Sequence, residues 1–199
     1  YPSGPFVDLP YIVEEKMWDG QEEVLLNKTV LTYTTGGLIA QKDIYDTANT
    51  FQYSLTFQYD DLGRLKQETN ALGQTAIYDY DAAGNRIFAQ DLSGKRSLHM
   101  NYDHSNRLIQ SKEIGADGLE HVTQYQYDGK HRKTASIDHY GNTTRYFYDF
   151  FGNLEATLLS PVLNENGDPI EPTLRSSFDG AEREISRTDA RDNDIRTSY

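Results

Sequence analysis

The sequence predicts an all-β fold, an antiparallel meander of repeated hairpins, and two observations support it. A Tyr-Asp pair recurs about every 21 residues, and each pair leads into a similar short phrase. Apolar and polar residues alternate before each pair, which is the side-chain period of a strand. The chain has 199 residues, enough for one domain or two small ones.

Tyr-Asp pairs define the repeat. They occur at Tyr59-Asp60, Tyr80-Asp81, Tyr102-Asp103, Tyr127-Asp128 and Tyr148-Asp149. Their separations are 21, 22, 25 and 21 residues, and Phe178-Asp179 continues the series. Tyr33 precedes the series by 26 residues, and Tyr45-Asp46 breaks its phase. We interpret Tyr45-Asp46 as incidental to the repeat.

Each Tyr-Asp pair predicts a tight turn followed by a return strand. The position four residues after each tyrosine holds Gly63, Gly84, Asn106, His131 or Gly152. These residue types tolerate a positive φ, and the preceding aspartate can accept a hydrogen bond from the turn backbone. A second turn is indicated halfway around each unit, at Leu72-Gly73, Ser93-Gly94, Asp117-Gly118, Tyr140-Gly141 and Asn166-Gly167. Two turns leave room for two strands of about seven residues per unit.

The strand that leads into each Tyr-Asp pair is predicted to have one aromatic and apolar face. Ala76, Tyr78 and Tyr80, for example, alternate with Ile77 and Asp79. Stacked hairpins would bring the tyrosines of successive units onto the same face of the sheet.

The phase of the repeat divides the chain into two predicted regions. Residues 29–199 are expected to form the repeat sheet of about seven units, with insertions at 114–121 and 161–172 that lengthen mid-repeat turns. Residues 1–28 are out of phase and are expected to form an irregular N-terminal lead-in segment that enters the sheet near Thr29. The sequence is expected to be a piece of a longer protein.

Composition argues against several classes of function. A net charge of −12 disfavours binding to nucleic acid or to an anionic membrane surface. The chain has no cysteine, no apolar run that approaches ~18 residues, and no phosphate-loop or nucleophile-elbow pattern. No enzymatic activity, cofactor or metal is therefore expected.

Acidic and histidine residues are interpreted as structural. The repeated aspartates are interpreted as turn caps, because a catalytic pair has no reason to recur in every unit. The acidic cluster near the end of the chain is denser but lacks the glycine and glutamate of a calcium loop, so a degenerate turn is favoured there. That cluster contains Asp189, Asp192, Asn193 and Asp194. The histidines show no metal-binding sequence spacing; they are His99, His104, His121, His131 and His139.

The repeated phrase resembles the YD repeat of the Rhs family, which includes bacterial Rhs toxins, the C component of Tc insecticidal toxins and animal teneurins. The resemblance runs from about Tyr33 to Tyr199, although the unit at Tyr127 lacks the turn glycine and the unit at Phe178 has lost both tyrosine and glycine. It implies a curved or spiralling sheet that forms part of a larger shell, with a C-terminal toxin domain enclosed. The family's self-cleavage segment is not carried over, because Asp168-Pro169 is not followed by the required glycine.

The resemblance assigns a structural role to the residues that define the repeat. They are Tyr59, Asp60, Gly63, Tyr80, Asp81, Gly84, Tyr102, Asp103, Tyr127, Asp128, Tyr148, Asp149 and Gly152.

Two functions are open at the level of sequence. The first is a structural segment of a large Rhs-like bacterial protein, secreted or on the cell surface, whose partners are the rest of the same shell and its cargo. The bare edges of such a sheet would also favour edge-to-edge self-association. The alternative is a carbohydrate- or protein-binding module that uses the aromatic face or the 161–172 loop.

Overall fold

The computed structural model describes residues 9–163, 166–190 and 193–197. All the regular structure in these residues is β. Sixteen of the strands follow one another in sequence order in an antiparallel sheet, and two more form a small separate hairpin. The predicted all-β antiparallel meander is confirmed.

The strands fall into two compact units, of which the first comprises residues 1–99 with 115–117 and the second residues 100–114 with 118–199. The first unit contains β1 (Ile12–Trp18), β2 (Glu23–Tyr33), β3 (Ile39–Tyr45), β4 (Phe51–Tyr59), β5 (Leu65–Thr69), β6 (Thr75–Tyr80) and β7 (Arg86–Gln90). β8 (Ser97–Tyr102) begins in the first unit and ends in the second.

The second unit continues the meander. Its strands are β9 (Leu108–Ile114), β10 (Glu120–Tyr127), β11 (Lys133–Ile137), β12 (Thr143–Tyr148), β13 (Leu154–Leu158), β14 (Val162–Leu163), β15 (Pro169–Ile170), β16 (Thr173–Phe178), β17 (Glu184–Thr188) and β18 (Asp194–Arg196). β13 pairs directly with β16, so the β14–β15 hairpin stands outside the main sheet. This hairpin occupies the 161–172 insertion, and the 114–121 insertion forms the turn between β9 and β10 together with its flanking residues.

The sheet begins within residues 1–28, where an irregular lead-in segment was expected. β1 pairs with β2 from Ile12↔Val30 to Trp18↔Glu23, well before Thr29. The chain reverses at Asp19, whose Oδ1 accepts the backbone N–H groups of Gln21 and Glu22. The sequence gives no sign of this hairpin, because it has no Tyr-Asp phrase and every residue of β1 is exposed. Residues 1–8 of the lead-in lie outside the described residues.

Little of the described chain is buried. Its buried apolar residues are Leu31, Ala76 and Ala135, and none of its buried residues is polar or charged. The strand residues that face the same way as the repeat tyrosines are mostly half-buried, whereas Ile77 and Phe147 on the opposite side are exposed. Hydrophobic burial is therefore small, and contacts along the sheet have to carry much of the stability.

Candidate functional site

The Tyr-Asp phrases form five-residue turns with a common hydrogen-bond pattern. In the first, the Asp60 N–H donates to the Arg64 carbonyl and the Gly63 N–H donates to the Asp60 carbonyl, both at 2.9 Å. Gly63 has a φ of 78°, so the loop is a type I turn closed by a left-handed residue. The equivalent residues are also left-handed: Gly84, Asn106, His131 and Gly152.

The aspartate side chain holds each turn together. Asp60 Oδ1 accepts the N–H groups of Leu62 and Arg64, and its Oδ2 accepts the Arg64 Nε–H at 2.7 Å. These hydrogen bonds favour the ionised carboxylate and lower the pKa of Asp60, with the Arg64 backbone N–H as the largest cause. The side chain of Arg107 has the same effect on Asp103 and lowers its pKa to about 2. The pKa is lowered in each repeat aspartate: Asp60, Asp81, Asp103, Asp128, Asp149 and Asp179.

Each return strand diverges from the following strand near its turn. β5 and β6 are paired from Thr69↔Thr75 to Gln67↔Ile77, so Leu65 lies two residues beyond the last pair. A β-bulge between Gln58 and Tyr59 marks the same end of the β4–β5 ladder. This leaves the carbonyl of Leu65 on the β6 side without a ladder partner.

A tyrosine of the following unit binds this carbonyl. The Tyr80 hydroxyl donates to the Leu65 carbonyl at 2.9 Å. The same bond joins Tyr59 to Ile39, Tyr127 to Leu108 and Tyr148 to Lys133, at 2.7–2.9 Å. The acceptor is always the first residue of the return strand one unit earlier. We call these four hydroxyl bonds the tyrosine ladder; it ties successive repeats together.

Arginine side chains at the turns also connect successive repeats. Arg64 Nη1 donates to the Asp81 carbonyl at 2.9 Å, and its guanidinium lies 4.7 Å from the centre of the Tyr80 ring. Arg107 reaches the Asp128 carbonyl and the Tyr127 ring in the same way, and Arg132 reaches the Asp149 carbonyl and the Tyr148 ring. We call these three contacts the arginine clamps. Each arginine binds the aspartate of its own turn. It also contacts the tyrosine and the aspartate of the next Tyr-Asp turn along the chain, which lies at the same edge of the sheet.

A second row of tyrosines lies two residues before the ladder. The Tyr78 hydroxyl donates to Glu68 Oε1 at 2.7 Å, and burial together with this carboxylate raises the pKa of Tyr78 to about 12. The hydroxyls of Tyr125 and Tyr146 lie 3.4 and 3.2 Å from those of Ser111 and Ser136. These contacts again reach back to the return strand of the preceding unit.

Comparison with known proteins identifies the repeat. Residues 59–91, which include the turns at Tyr59 and Tyr80, match the family model described as RHS Repeat. This segment of the chain therefore matches an RHS repeat. The resemblance proposed from the Tyr-Asp phrases is confirmed.

Solved structures share the fold. A crystal structure of TcdB2-TccC3 superposes with a TM-score of 0.65 at 16% identity. A Tc holotoxin pore from Photorhabdus luminescens gives the same TM-score at 14% identity. Both matches cover 88% of this chain but only 11% of the other chain, so this chain spans a small part of their length.

The predicted site residues all lie at junctions between successive repeats, but they do not all make the same contacts. Tyr102 places its hydroxyl 3.7 Å from Met100 Sδ, a weak contact. Asp81 and Asp149 pair with the side-chain amides of Asn85 and Asn153 rather than with an arginine. The unit at Phe178 keeps its turn, with Glu182 left-handed and Arg183 bound to Asp179, but phenylalanine has no hydroxyl for the ladder.

Tyr45-Asp46 lies out of phase with the Tyr-Asp series, at the mid-repeat turn between β3 and β4, and its aspartate begins that turn. The Asp46 N–H donates to the Thr50 carbonyl, the Asn49 N–H donates to the Asp46 carbonyl, and Asn49 is left-handed. The mid-repeat turns at Asn70 and Asp138 have the same pattern. This turn type thus occurs at both ends of the hairpins, and the Asp or Asn at its first position was the signal available in the sequence.

The acidic cluster also contains a turn. The Asp189 N–H donates to the Asn193 carbonyl at 3.0 Å, and the Asn193 side chain donates to Asp189 Oδ2. Asp194 accepts a hydrogen bond from the Thr188 hydroxyl, and Asp192 lies outside the described residues. In the part of the chain that the structure describes, no three metal-ligating side chains cluster, and no helix is long and apolar enough to cross a membrane.

Proposed function

We propose that this chain is a wall-forming segment of a larger RHS-repeat shell that encloses a C-terminal toxin cargo. The RHS repeat match and the fold shared with TccC3-containing structures support this proposal. The proposal places the protein outside the bacterial cell or on its surface and assigns no enzymatic activity to this segment.

The tyrosine ladder is the observation that carries the structural role. Its hydroxyls point at the backbone of the preceding repeat, and the arginine clamps cover the rings from one side. These polar groups make their contacts within the sheet, and the same contacts recur from unit to unit. A ligand site has no need of such recurrence, whereas a wall built from equal units does.

The sparse burial also fits a wall. An ordinary domain packs two layers around a core, but only three of the described residues are buried. A sheet held together within its own plane can keep both faces accessible, one toward a cargo and one toward solvent.

The edge strands indicate how a wall segment would be extended. Every residue of β1 and of β18 is exposed, and each of these strands has one neighbour in the described sheet. Unpaired backbone groups on an edge strand pair readily with another strand. In the proposed shell, these edges pair with the rest of the same polypeptide; separated from it, they would favour self-association.

The carbohydrate-binding alternative has weaker support from the aromatic face. Sugars stack on exposed rings, but the ladder tyrosines are half-buried and their hydroxyls are already bonded to carbonyls. A glycan array with the chain tests this alternative. Saturable binding that is lost when Tyr125 or Tyr146 is replaced by alanine, while the variant stays folded, would support it.

Protease protection tests the proposed enclosure. The polypeptide that carries this chain is treated with a broad-specificity protease, and peptides from the region after the repeats are followed by mass spectrometry. Enclosure predicts that this region survives until the protein is denatured. Its digestion at the same rate in native and denatured samples would overturn the proposal.

A further inference from the structure

Two junctions between successive repeats of the second unit have backbone ladders of equal length. Residues 135–137 of β11 pair with 143–145 of β12, and residues 156–158 of β13 pair with 173–175 of β16. Each junction joins a return strand to the next strand of the main sheet. Backbone pairing alone would therefore make the two junctions similar in strength.

Side chains reinforce the β11–β12 junction. The Tyr148 bond of the tyrosine ladder and the Arg132 clamp both span it. The Tyr146 hydroxyl also lies 3.2 Å from that of Ser136. Separation of β11 from β12 has to break these contacts together with the backbone bonds.

The β13–β16 junction, which we call the seam, has none of these reinforcements. Phe178 stands at the position of the ladder tyrosine, Asn153 at that of the clamp arginine, and Ser176 at that of the second-row tyrosine. Asn153 instead donates to Asp149 of its own turn, and the Ser176 hydroxyl donates to Glu184 of β17. Among the described residues, no side chain of β13 makes a hydrogen bond, an ion pair or a ring contact with β16.

The other end of the seam is not closed by a tight turn. After the ladder, the Leu159 N–H donates to the Pro172 carbonyl at 2.9 Å, and the chain then leaves the main sheet for the β14–β15 hairpin. β11 and β12, by contrast, are joined by the five-residue turn that begins at Asp138. A longer connection costs more entropy to close, so it holds its two strands together less effectively.

Clefts lie against the seam on both faces of the sheet. A cleft of about 620 Å³ lies on the Phe147 side, and one of about 220 Å³ lies on the Leu174 side. Four residues line both clefts: Glu155, Ala156, Arg175 and Ser176. Glu155 and Arg175 carry opposite charges on the two strands, but both are exposed and they form no ion pair with each other. Water therefore reaches the seam from both faces, which favours local opening.

We propose that the seam is a built-in opening of the sheet, at which β16, β17 and β18 separate from β13 before the β11–β12 junction opens. β16 stays attached to β17, because the two strands are paired and the Ser177 and Ser186 hydroxyls lie 2.6 Å apart. In the proposed shell, the wall would part along this line. That role rests on the proposed function, whereas the seam is a property of the chain itself.

Native-state hydrogen exchange of the chain, resolved by residue, tests the opening. Amides bonded across the seam should exchange at least about tenfold faster than those bonded between β11 and β12, because several contacts of the latter are missing. They should also exchange no more slowly than the amides bonded between β16 and β17. Simple fraying from the end of the chain predicts that the β16–β17 amides exchange faster than those of the seam. That order, or equal exchange at the seam and at the β11–β12 junction, overturns the proposal.

A double variant should close the seam. Asn153→Arg with Phe178→Tyr supplies a clamp arginine and a ladder hydroxyl, and should slow exchange at the seam at least about fivefold. Phe150→Tyr is the matched control, since it adds a hydroxyl in the same turn on a ring that is 86% exposed, and it should leave the seam unchanged.

Unchanged exchange at the seam in the double variant, with the fold intact by circular dichroism, would also overturn the proposal. The comparison of junctions in the wild type stands without the variant. Either negative result leaves the enclosure of a cargo to its own test by protease protection, so failure of the seam and failure of the proposed function are distinguishable.

Discussion

Removal of one hydroxyl from the tyrosine ladder should measure how strongly neighbouring repeats are coupled. Tyr80→Phe keeps the ring under Arg64 and removes only the bond to the Leu65 carbonyl. A hydrogen bond of this kind contributes about 0.5–1.5 kcal/mol net. Because Tyr80 is half-buried and water can reach the freed carbonyl, we expect a loss of about 1 kcal/mol.

The effect should add up along the ladder. Tyr59 and Tyr80 end β4 and β6, two strands apart, which corresponds to about 10 Å. Substitutions at that separation are usually additive, so the double variant should lose about 2 kcal/mol. That is a large share of the total stability of a typical domain, about 5–15 kcal/mol.

Urea unfolding of the single and double variants is the assay. The expected result is a lower midpoint with an unchanged slope, since the surface exposed on unfolding is the same. Tyr140→Phe is the control, because that side chain is 78% exposed and its change should stay within about 0.5 kcal/mol. If Tyr80→Phe also stays within that range, the ladder does not couple the repeats.

Three further outcomes are expected. Phe178→Tyr should stabilise the chain by about 0.5–1 kcal/mol in urea unfolding, because the Ala156↔Arg175 register places its ring beside Leu154 just as Tyr80 lies beside Leu65; an unchanged midpoint would contradict this. Gly84→Ala should cost about 1–2 kcal/mol, since φ is 93° and no atom lies within 4 Å of a new Cβ, so the penalty is conformational only. Acid should destabilise the fold: the Asp103 carboxyl, with its pKa lowered to about 2, contributes stability that is complete above its unfolded pKa of about 3.9 and is lost as the pH falls toward 2. Asp103→Asn should flatten that part of the pH profile of the unfolding midpoint, and an unchanged profile would refute the assignment.

The turns were predictable because their chemistry is local. A left-handed residue and an aspartate three positions earlier are both visible in the sequence, and Gly63 and Asp60 occupy these positions in the structure. The tyrosine face was predictable for a similar reason, since alternation reports which side chains share a face.

The contacts between repeats were not predictable, because they depend on register. The hydroxyl of Tyr80 reaches Leu65 only because β5 and β6 stop pairing at Gln67↔Ile77, and no residue type signals where a ladder ends. The arginine clamps were missed as well, although arginine follows the left-handed turn residue in several units. Their second partner lies 17 or more residues away along the chain.

The β1–β2 hairpin shows the same limit. β1 has no buried residue, so no apolar pattern in its sequence marks it as a strand. Its pairing with β2 makes it one.

The central claim is that contacts within the sheet stabilise these repeats without an ordinary core. Native-state hydrogen exchange of the chain, resolved by residue, tests it most directly. The account predicts slow exchange through β4 to β7 and β9 to β13, with Tyr127→Phe raising exchange most in β9 and β10, which its hydroxyl bond connects. Exchange near the rate of an unfolded chain across these strands, or an unchanged pattern in Tyr127→Phe, would contradict it.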